Sequence, residues 1–288
     1  MQGSIEFYLK VRFFSKMQPQ IAMCNIFDQD ADKLAEFAFG NGFSAIDWSI
    51  DPCLPQDQFL SRMKTLSDFQ LRYHCRFFGV DIAYTDRRGE DSLHLLMSTV
   101  EQVAQAGGRH MTIHSGLGNP SGEGIDLAKA IDNLSVLVEY GNSNGVAVAL
   151  ENLMTPLTND PRLFNHIIAE SGAFVTIDIG HAHGVRNLYP QMNICGEYVL
   201  PNRDKLLNAH IYHTELEGYG HIAPESLTDI SSRLDLLGMA ESCDWWVIEL
   251  MSPEKVLSTR DLLVSYLDCR SLLSVGEQQK QPLALFAA

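Results

Sequence analysis

The chain has 288 residues, of which 45% are hydrophobic and 20% charged, a composition typical of a soluble globular protein with room for one α/β barrel or two smaller domains. Its 36 acidic and 21 basic residues give a net charge of -15, which disfavours binding to nucleic acid or to an anionic membrane. The six cysteines are scattered without a CxxC motif, so we expect reduced thiols in a cytoplasmic protein and neither a disulfide framework nor a thiolate metal site.

Strand-like and helix-like segments alternate from residue 20 onward. Short apolar runs predict strands, and apolar residues at helical spacing predict the helices between them. The predicted strands cover residues 21–24, 45–48, 71–74, 111–114, 146–151, 174–178, 206–212 and 246–250. The predicted helices cover residues 31–40, 55–66, 92–106, 127–140, 161–170, 189–198 (the weakest pattern), 224–237 and 259–273.

Eight strands that alternate with eight helices predict a parallel sheet, and eight such units in a chain of this length predict a closed (β/α)8 barrel, the TIM barrel. An open doubly wound sheet is the alternative, but no glycine-rich phosphate loop follows the first predicted strand. We therefore expect one domain over residues 20–274. Residues 1–19 are interpreted as an N-terminal extension, and residues 275–288 as a C-terminal tail.

Side chains able to bind a metal stand at or just beyond the ends of six predicted strands: His74, His114, Glu151, Asp178, His181, His210 and Glu249. In a barrel the C-terminal ends of the strands surround one pocket, so these residues are expected to converge. Glu151, Asp178, His210 and Glu249 form an oxygen-rich set that suits one divalent ion. Mn²⁺, Mg²⁺ or Co²⁺ is favoured, and Zn²⁺ is also compatible. Without a cation, three converging carboxylates would raise one another's pKa.

The candidate substrate-binding residues lie near the same strand ends, and they are His74, His114, His181, His213, His221 and Trp48. The histidines are expected either to orient the metal ligands or to bind substrate hydroxyl groups. Trp48 ends the second predicted strand, where a wall of the pocket and packing in the core are equal alternatives.

The chain resembles the xylose isomerase-like barrel superfamily over roughly residues 20–270. The superfamily includes sugar isomerases and epimerases, inosose dehydratases and DNA repair enzymes of the endonuclease IV type. The resemblance rests on six strand-end motifs in the same order: Tyr73-His74-Cys75-Arg76-Phe77, Ile113-His114-Ser115-Gly116, Leu150-Glu151-Asn152, Ile177-Asp178-Ile179-Gly180-His181, Ala209-His210-Ile211 and Ile248-Glu249-Leu250.

For the epimerase branch, the resemblance implies one divalent metal held by Glu151, Asp178, His210 and Glu249. Glu151 and Glu249 would also act as the acid/base pair on opposite faces of a small carbohydrate, through an enediolate. A dehydratase acting on a related cyclic polyol would use the same first step, so this alternative remains open.

For the endonuclease branch, the resemblance implies three zinc ions, with His74, His114, His181 and an Asp-x-His pair as further ligands. The chain has Tyr219-Gly220-His221 at that pair, so tyrosine replaces the acidic residue. This replacement and the net charge of -15 argue against a nucleic acid substrate. We expect a carbohydrate substrate and no nucleic acid or membrane partner, with assembly into a homo-oligomer left open.

Overall fold

Eight parallel strands form a closed barrel in the computed structural model, which describes residues 18–216 and 218–278. The barrel strands are β1 (Gln20–Cys24), β2 (Ala45–Ser49), β3 (Gln70–Cys75), β4 (His110–Ile113), β5 (Ala147–Glu151), β6 (Phe174–Asp178), β7 (Leu206–Ile211) and β10 (Trp245–Ile248). Their order around the barrel is β1-β10-β7-β6-β5-β4-β3-β2. A separate antiparallel hairpin, β8 (Thr214–Leu216) with β9 (Gly220–Ile222), follows β7. The predicted (β/α)8 barrel is confirmed.

Helices connect successive barrel strands and cover the outside of the sheet. They are α1 (Ala31–Gly40), α2 (Gln56–Thr65), α3 (Arg87–Gln105), α4 (Leu127–Ser143), α5 (Pro161–Ser171), α6 (Ile179–Gly184), α7 (Ile194–Asn202), α8 (Ser231–Leu237) and α9 (Pro253–Gln278). Aspartate side chains accept backbone N–H groups at the starts of α1, α3, α4 and α5, which defines where each helix begins. None of the described helices has the length and apolar character needed to cross a membrane.

The structure differs from the prediction mainly in the ends of helices and in short elements. The third helix begins at Arg87, five residues earlier than predicted, because Asp86 caps it. The closing helix begins at Pro253 and continues to Gln278, past the predicted end of the barrel domain. Short elements such as α6 and the β8–β9 hairpin were not predicted, since segments of three to six residues carry little periodicity. The predicted extension falls mostly on residues 1–17, which lie outside the described residues, as do residues 279–288 of the predicted tail.

Alternate side chains of each strand face either the barrel interior or the surrounding helices. Trp245 and Trp246 of β10 illustrate this alternation. Trp245 packs in a small apolar cluster with Ala22, Cys24, Ala45 and Val247, whereas Trp246 belongs to the large core beneath the helices, where its ring lies 6.2 Å from that of Tyr266. Apolar side chains thus fill part of the barrel interior, and the polar strand-end residues are displayed at its C-terminal end.

Candidate metal centre

Four side chains from four strand ends converge at the C-terminal end of the barrel. Glu151 ends β5, Asp178 ends β6, His210 lies in β7, and Glu249 directly follows β10. All four are buried, and one ligand atom from each lies within 4.8 Å of the others. Nδ1 of His210 is 3.2 Å from Oε1 of Glu151, 3.1 Å from Oε2 of Glu249 and 3.9 Å from Oδ2 of Asp178. The structure therefore brings together all four residues predicted to be metal ligands; we call them the quartet.

Acidic groups outnumber basic ones in the quartet. Burial alone would raise the pKa of Glu151 and Glu249, but the adjacent His210 lowers the pKa of both well below the usual range. Burial alone would likewise lower the pKa of His210, yet the charges of the two nearby glutamates raise it well above its ordinary value. Burial raises the pKa of Asp178, and the charge of Glu151 adds to the effect. Within the quartet three buried carboxylates therefore face one imidazole, and Nε of Arg76 lies 3.7 Å from Oε1 of Glu249 outside it.

Backbone and side-chain contacts hold Asp178 in a fixed orientation. Its Oδ1 accepts the backbone N–H of His181 at 2.7 Å, so Asp178 also caps helix α6. Asn152, which directly follows Glu151, accepts the Asp178 backbone N–H at 2.8 Å and donates to its carbonyl oxygen at 3.0 Å. Oδ2 of Asp178 is buried and has no hydrogen-bond partner among residues 18–216 and 218–278. One oxygen is thus held by α6 while the other faces the quartet.

His74 and His114 form a second group with the other oxygen of Glu151. Their Nε2 atoms lie 2.8 Å apart, and they are 3.1 and 3.0 Å from Oε2 of Glu151. Burial lowers the pKa of His74 to about 4, which favours the neutral imidazole, the form that binds metals. These contacts allow the two histidines either to orient Glu151 or to bind a metal ion next to it.

A third group joins helix α6 to the hairpin. Nε2 of His181 lies 2.9 Å from Oε2 of Glu215 in β8, and both can share a cation with His221 in β9. The pKa of His181 rises to about 10, since the charges of Asp178 and Glu215 outweigh the effect of burial. Glu215 was not predicted, because only the pairing of β8 with β9 places it opposite His221. It supplies a carboxylate near the position where the sequence has Tyr219 in place of an acidic residue.

Tyr212 is a second residue of the site that the sequence did not single out. It is completely buried, and its ring stacks on His221 with centroids 4.0 Å apart and planes 8° apart. Burial and the charges of Asp178, Glu249 and Glu215 raise its pKa well above the usual range. A Cβ atom on Gly180 would overlap the Tyr212 ring. The absence of a side chain at Gly180 therefore leaves space for that ring.

Two predicted substrate-binding residues lie apart from these three groups. The carbonyl oxygen of His213 accepts from Arg233 at 2.7 Å, and its ring lies 4.9 Å from that of His183. Trp48 is buried in the large core with Phe59, because its neighbour Asp47 faces the barrel interior and adjacent strand residues face opposite sides. Of the two alternatives for Trp48, the structure therefore has packing in the core.

The quartet fits a divalent cation on the chemistry of its own atoms. Three carboxylates and one imidazole are ligands that such ions accept. Both ring nitrogens of His210 and Oδ2 of Asp178 are buried without a geometrically satisfactory hydrogen-bond partner in the described part of the chain. A cation bound by Glu151, Asp178, His210 and Glu249 would satisfy Oδ2 of Asp178 and one ring nitrogen of His210, and it would offset negative charge of the three carboxylates.

Comparisons with known proteins agree with this architecture. A protein 29% identical over 209 residues, the uncharacterized protein MJ0008 of Methanocaldococcus jannaschii, covers 70% of this chain and 89% of its own length. The structure of L-ribulose 3-epimerase superposes with a TM-score of 0.71 at 17% identity and covers 92% of this chain and 100% of that chain. Endonuclease IV from Thermus thermophilus superposes with a TM-score of 0.62 at 14% identity and covers 87% of this chain and 99% of that chain.

At these identities the two solved structures show a shared fold and do not distinguish an epimerase from an endonuclease. The family is established by a different comparison. A family model described as the xylose isomerase-like TIM barrel matches residues 23–239, about three quarters of the chain, with six barrel strands complete and the last two residues of β1. The resemblance drawn from the strand-end motifs is therefore confirmed, and the chain belongs to the xylose isomerase-like TIM barrel family.

Proposed function

We propose that this protein is a divalent-metal-dependent isomerase or epimerase that acts on a small polyhydroxy carbonyl compound. The convergence of Glu151, Asp178, His210 and Glu249, with ligand atoms within 4.8 Å of one another, carries the proposal. A metal bound there would stabilise the negative charge that develops on the substrate oxygens when a proton next to a carbonyl group is removed. The shared fold is compatible with this substrate class, since a protein with the same fold is an L-ribulose 3-epimerase.

Glu151 and Glu249 are the proposed proton-transfer groups. Their carboxylates lie on either side of Nδ1 of His210, and the lowered pKa of each keeps it ionised near neutral pH, as a base must be. One glutamate would remove a proton from the substrate carbon, and the other would return a proton to the opposite face. If a hydroxyl group left instead, the same first step would give a dehydratase, so the lyase remains an alternative within this proposal.

His181, Glu215 and His221 are the proposed substrate-binding groups beside the quartet. The ring of His181 and the carboxylate of Glu215 contact each other at 2.9 Å, and the side chain of Glu215 is 31% exposed, so it is accessible to solvent. Donors and acceptors on the same surface suit the hydroxyl groups of a sugar, each of which donates and accepts a hydrogen bond.

The test is a screen of ketoses and inososes for exchange of carbon-bound hydrogen with D₂O, in the presence of Mn²⁺ or Co²⁺. Once a substrate is found, Glu151→Gln and Glu249→Gln should each lower turnover by about 10²–10⁴-fold, because glutamine can coordinate a metal but cannot accept the proton. One variant is expected to keep exchange while it loses net turnover. Glu170→Gln, on the exposed surface of α5, is the matched control. Metal-loaded glutamine variants with wild-type turnover would show that the glutamates are ligands only.

A second candidate function is the hydrolysis of a phosphodiester by a centre with several metals. The groups formed by His74, His114 and Glu151 and by His181, Glu215 and His221 favour it, because each supplies three ligand-capable side chains next to the quartet. Adjacent metal ions can stabilise both the attacking and the leaving oxygen in such reactions. The net charge of -15 weighs against nucleic acid as the substrate, and we rank this function second.

Metal analysis and an abasic DNA duplex distinguish the two functions. We expect about one tightly bound divalent ion per chain and no incision of the duplex at physiological salt, where an acidic surface binds DNA weakly. Three zinc ions per chain, together with incision that is lost in His114→Ala and His221→Ala, would reverse the ranking.

A further inference from the structure

Asp47 is a buried acid that the proposed proton transfers do not use. It lies in β2, is fully buried, and neither carboxylate oxygen has a hydrogen-bond partner in the described part of the chain. Ligand-capable atoms of Asp47, His74 and His210 lie within 4.8 Å of one another, which places the carboxylate in the barrel interior beside the quartet. A carboxylate buried without a partner is costly, so its presence among these histidines requires a specific cause.

His210 has a ring nitrogen that lacks a hydrogen-bond acceptor. Its Nδ1 is the nitrogen that approaches Glu151 and Glu249, at 3.2 and 3.1 Å, so a metal in the quartet would be bound through Nδ1. A neutral imidazole that binds a metal through Nδ1 carries its proton on Nε2. Nε2 of His210 is buried and makes no hydrogen bond to residues 18–216 or 218–278. Histidines that bind metals almost always donate this second N–H group to a carboxylate, a carbonyl or a water molecule.

Several other polar groups of the barrel interior already hydrogen-bond one another. Thr112 and Thr176 share a hydrogen bond of 2.8 Å, and Asn208 donates to Thr112 at 3.1 Å. Arg72 and the indole N–H of Trp245, both near Asp47, are donors and cannot accept the proton of His210. Asp47 is thus a carboxylate with free lone pairs beside His210, and the charge of His210 partly opposes the rise that burial causes in the pKa of Asp47.

We infer that Asp47 is a positioning residue of the metal centre: it accepts the Nε2 proton of His210, directly or through one water molecule, and so directs the Nδ1 lone pair toward Glu151 and Glu249. This role rests on the proposed metal centre. The contact fixes the tautomer and the ring orientation of His210 and makes Nδ1 a stronger ligand. It also gives Asp47 a reason to be buried, because a bound metal turns an otherwise unsatisfied carboxylate into a hydrogen-bond acceptor.

The experiment is a titration of the metal-free protein with Co²⁺, followed by the visible absorption of the bound ion. Asp47→Asn should weaken Co²⁺ binding by about 10–100-fold and alter the absorption spectrum, because the residue next to a ligand has lost its charge. The metal-free variant should be at least as resistant to urea as the wild type, since an unpartnered buried charge has been removed. Asp81→Asn is the matched control: Asp81 is also buried with one unpaired oxygen in the described structure, but it binds Ser115 and the backbone of Ala83. It should change neither affinity nor spectrum.

The outcomes separate this inference from the proposed function. If wild-type protein binds Co²⁺ and Asp47→Asn binds it with the same affinity and spectrum, Asp47 has no positioning role and the metal centre stands. If the wild type binds no divalent ion, the metal centre and this inference both fail. Should Asp47→Asn not fold, NMR of ¹⁵N-histidine-labelled wild-type protein loaded with Zn²⁺ decides: a protected Nε2–H signal from His210 is expected, and a proton on Nδ1 would overturn the inference.

Discussion

The two ends of the barrel interior both contain buried charged groups, but these groups differ in how completely they are hydrogen-bonded. At the N-terminal end, Arg72 donates to the carbonyl oxygen of Leu207 at 3.0 Å, to Asn208 and to Asp244 at 2.7 Å, and it lies over the ring of Trp245. At the C-terminal end, the quartet has three carboxylates around one imidazole, and several of its polar atoms lack a partner in the described structure. The charge at the N-terminal end is satisfied by hydrogen bonds within the protein, whereas the charges at the C-terminal end leave buried polar atoms without such partners among the described residues.

We infer from this difference that the charged residues at one end of the barrel serve stability and those at the other end serve function. Charges that the fold satisfies internally hold the strands together and need nothing from outside. An excess of buried carboxylates destabilises the fold by itself and is offset when a cation binds. The contrast agrees with a general feature of TIM barrels: residues at the C-terminal ends of the strands form the active site, and residues at the opposite end contribute to stability.

The largest effect is expected at the C-terminal end for Asp178→Ala. Loss of a residue that merely supports a ligand typically costs 10–100-fold in metal affinity, so loss of a ligand should cost more than about 100-fold. The metal-free variant should differ little from the wild type in its resistance to urea, because removal of one of three crowded carboxylates opposes the loss of the cap on α6. Calorimetric titration with Mn²⁺ and urea unfolding measure the two quantities. Unchanged Mn²⁺ affinity would remove Asp178 from the ligand set.

At the N-terminal end, Arg72→Met should do the reverse. The substitution keeps an apolar stem but leaves the carbonyl oxygen of Leu207 and the side chain of Asn208 without their donor. We expect a loss of about 1–3 kcal/mol in the free energy of unfolding, the usual cost of unsatisfied buried polar groups. Metal affinity should change far less than in Asp178→Ala. If Arg72→Met instead weakened Mn²⁺ binding by as much as Asp178→Ala while stability held, the two ends would not be functionally distinct.

The smallest expected effect is a dependence of metal affinity on pH. The raised pKa of His210 means that the metal-free protein carries a proton on this ring at neutral pH, and a metal must displace it. Affinity for Mn²⁺ should therefore rise by roughly tenfold per pH unit near neutrality and level off above the raised pKa of His210. Calorimetry in buffers of different ionisation enthalpy should detect release of about one proton per ion. A pH-independent affinity would mean that His210 is already neutral before the metal binds.

Much of the site could be predicted because its residues end strands that are themselves easy to recognise. Glu151 and Asp178 each close a continuous apolar run, and a parallel sheet places such ends at one edge. Glu215 and Tyr212 were not predicted, because their positions in the site depend on contacts between segments. The position of Glu215 depends on the pairing of β8 with β9, and that of Tyr212 on the space left by Gly180. Asp47 lies within an ordinary-looking strand, where nothing in the sequence distinguishes a residue facing the interior from one facing the helices.

The sequence by itself determined the order of the elements, the barrel, and the four residues that meet at its C-terminal end, because hydrophobic periodicity and strand-end position are local properties of the chain. Only the tertiary structure decided which polar atoms are paired and which are left free. Closure of the barrel brings His210 between Glu151 and Glu249 and places Asp47 beside it. Those contacts join residues far apart in sequence, and their geometry depends on the register and tilt of strands that no local pattern specifies.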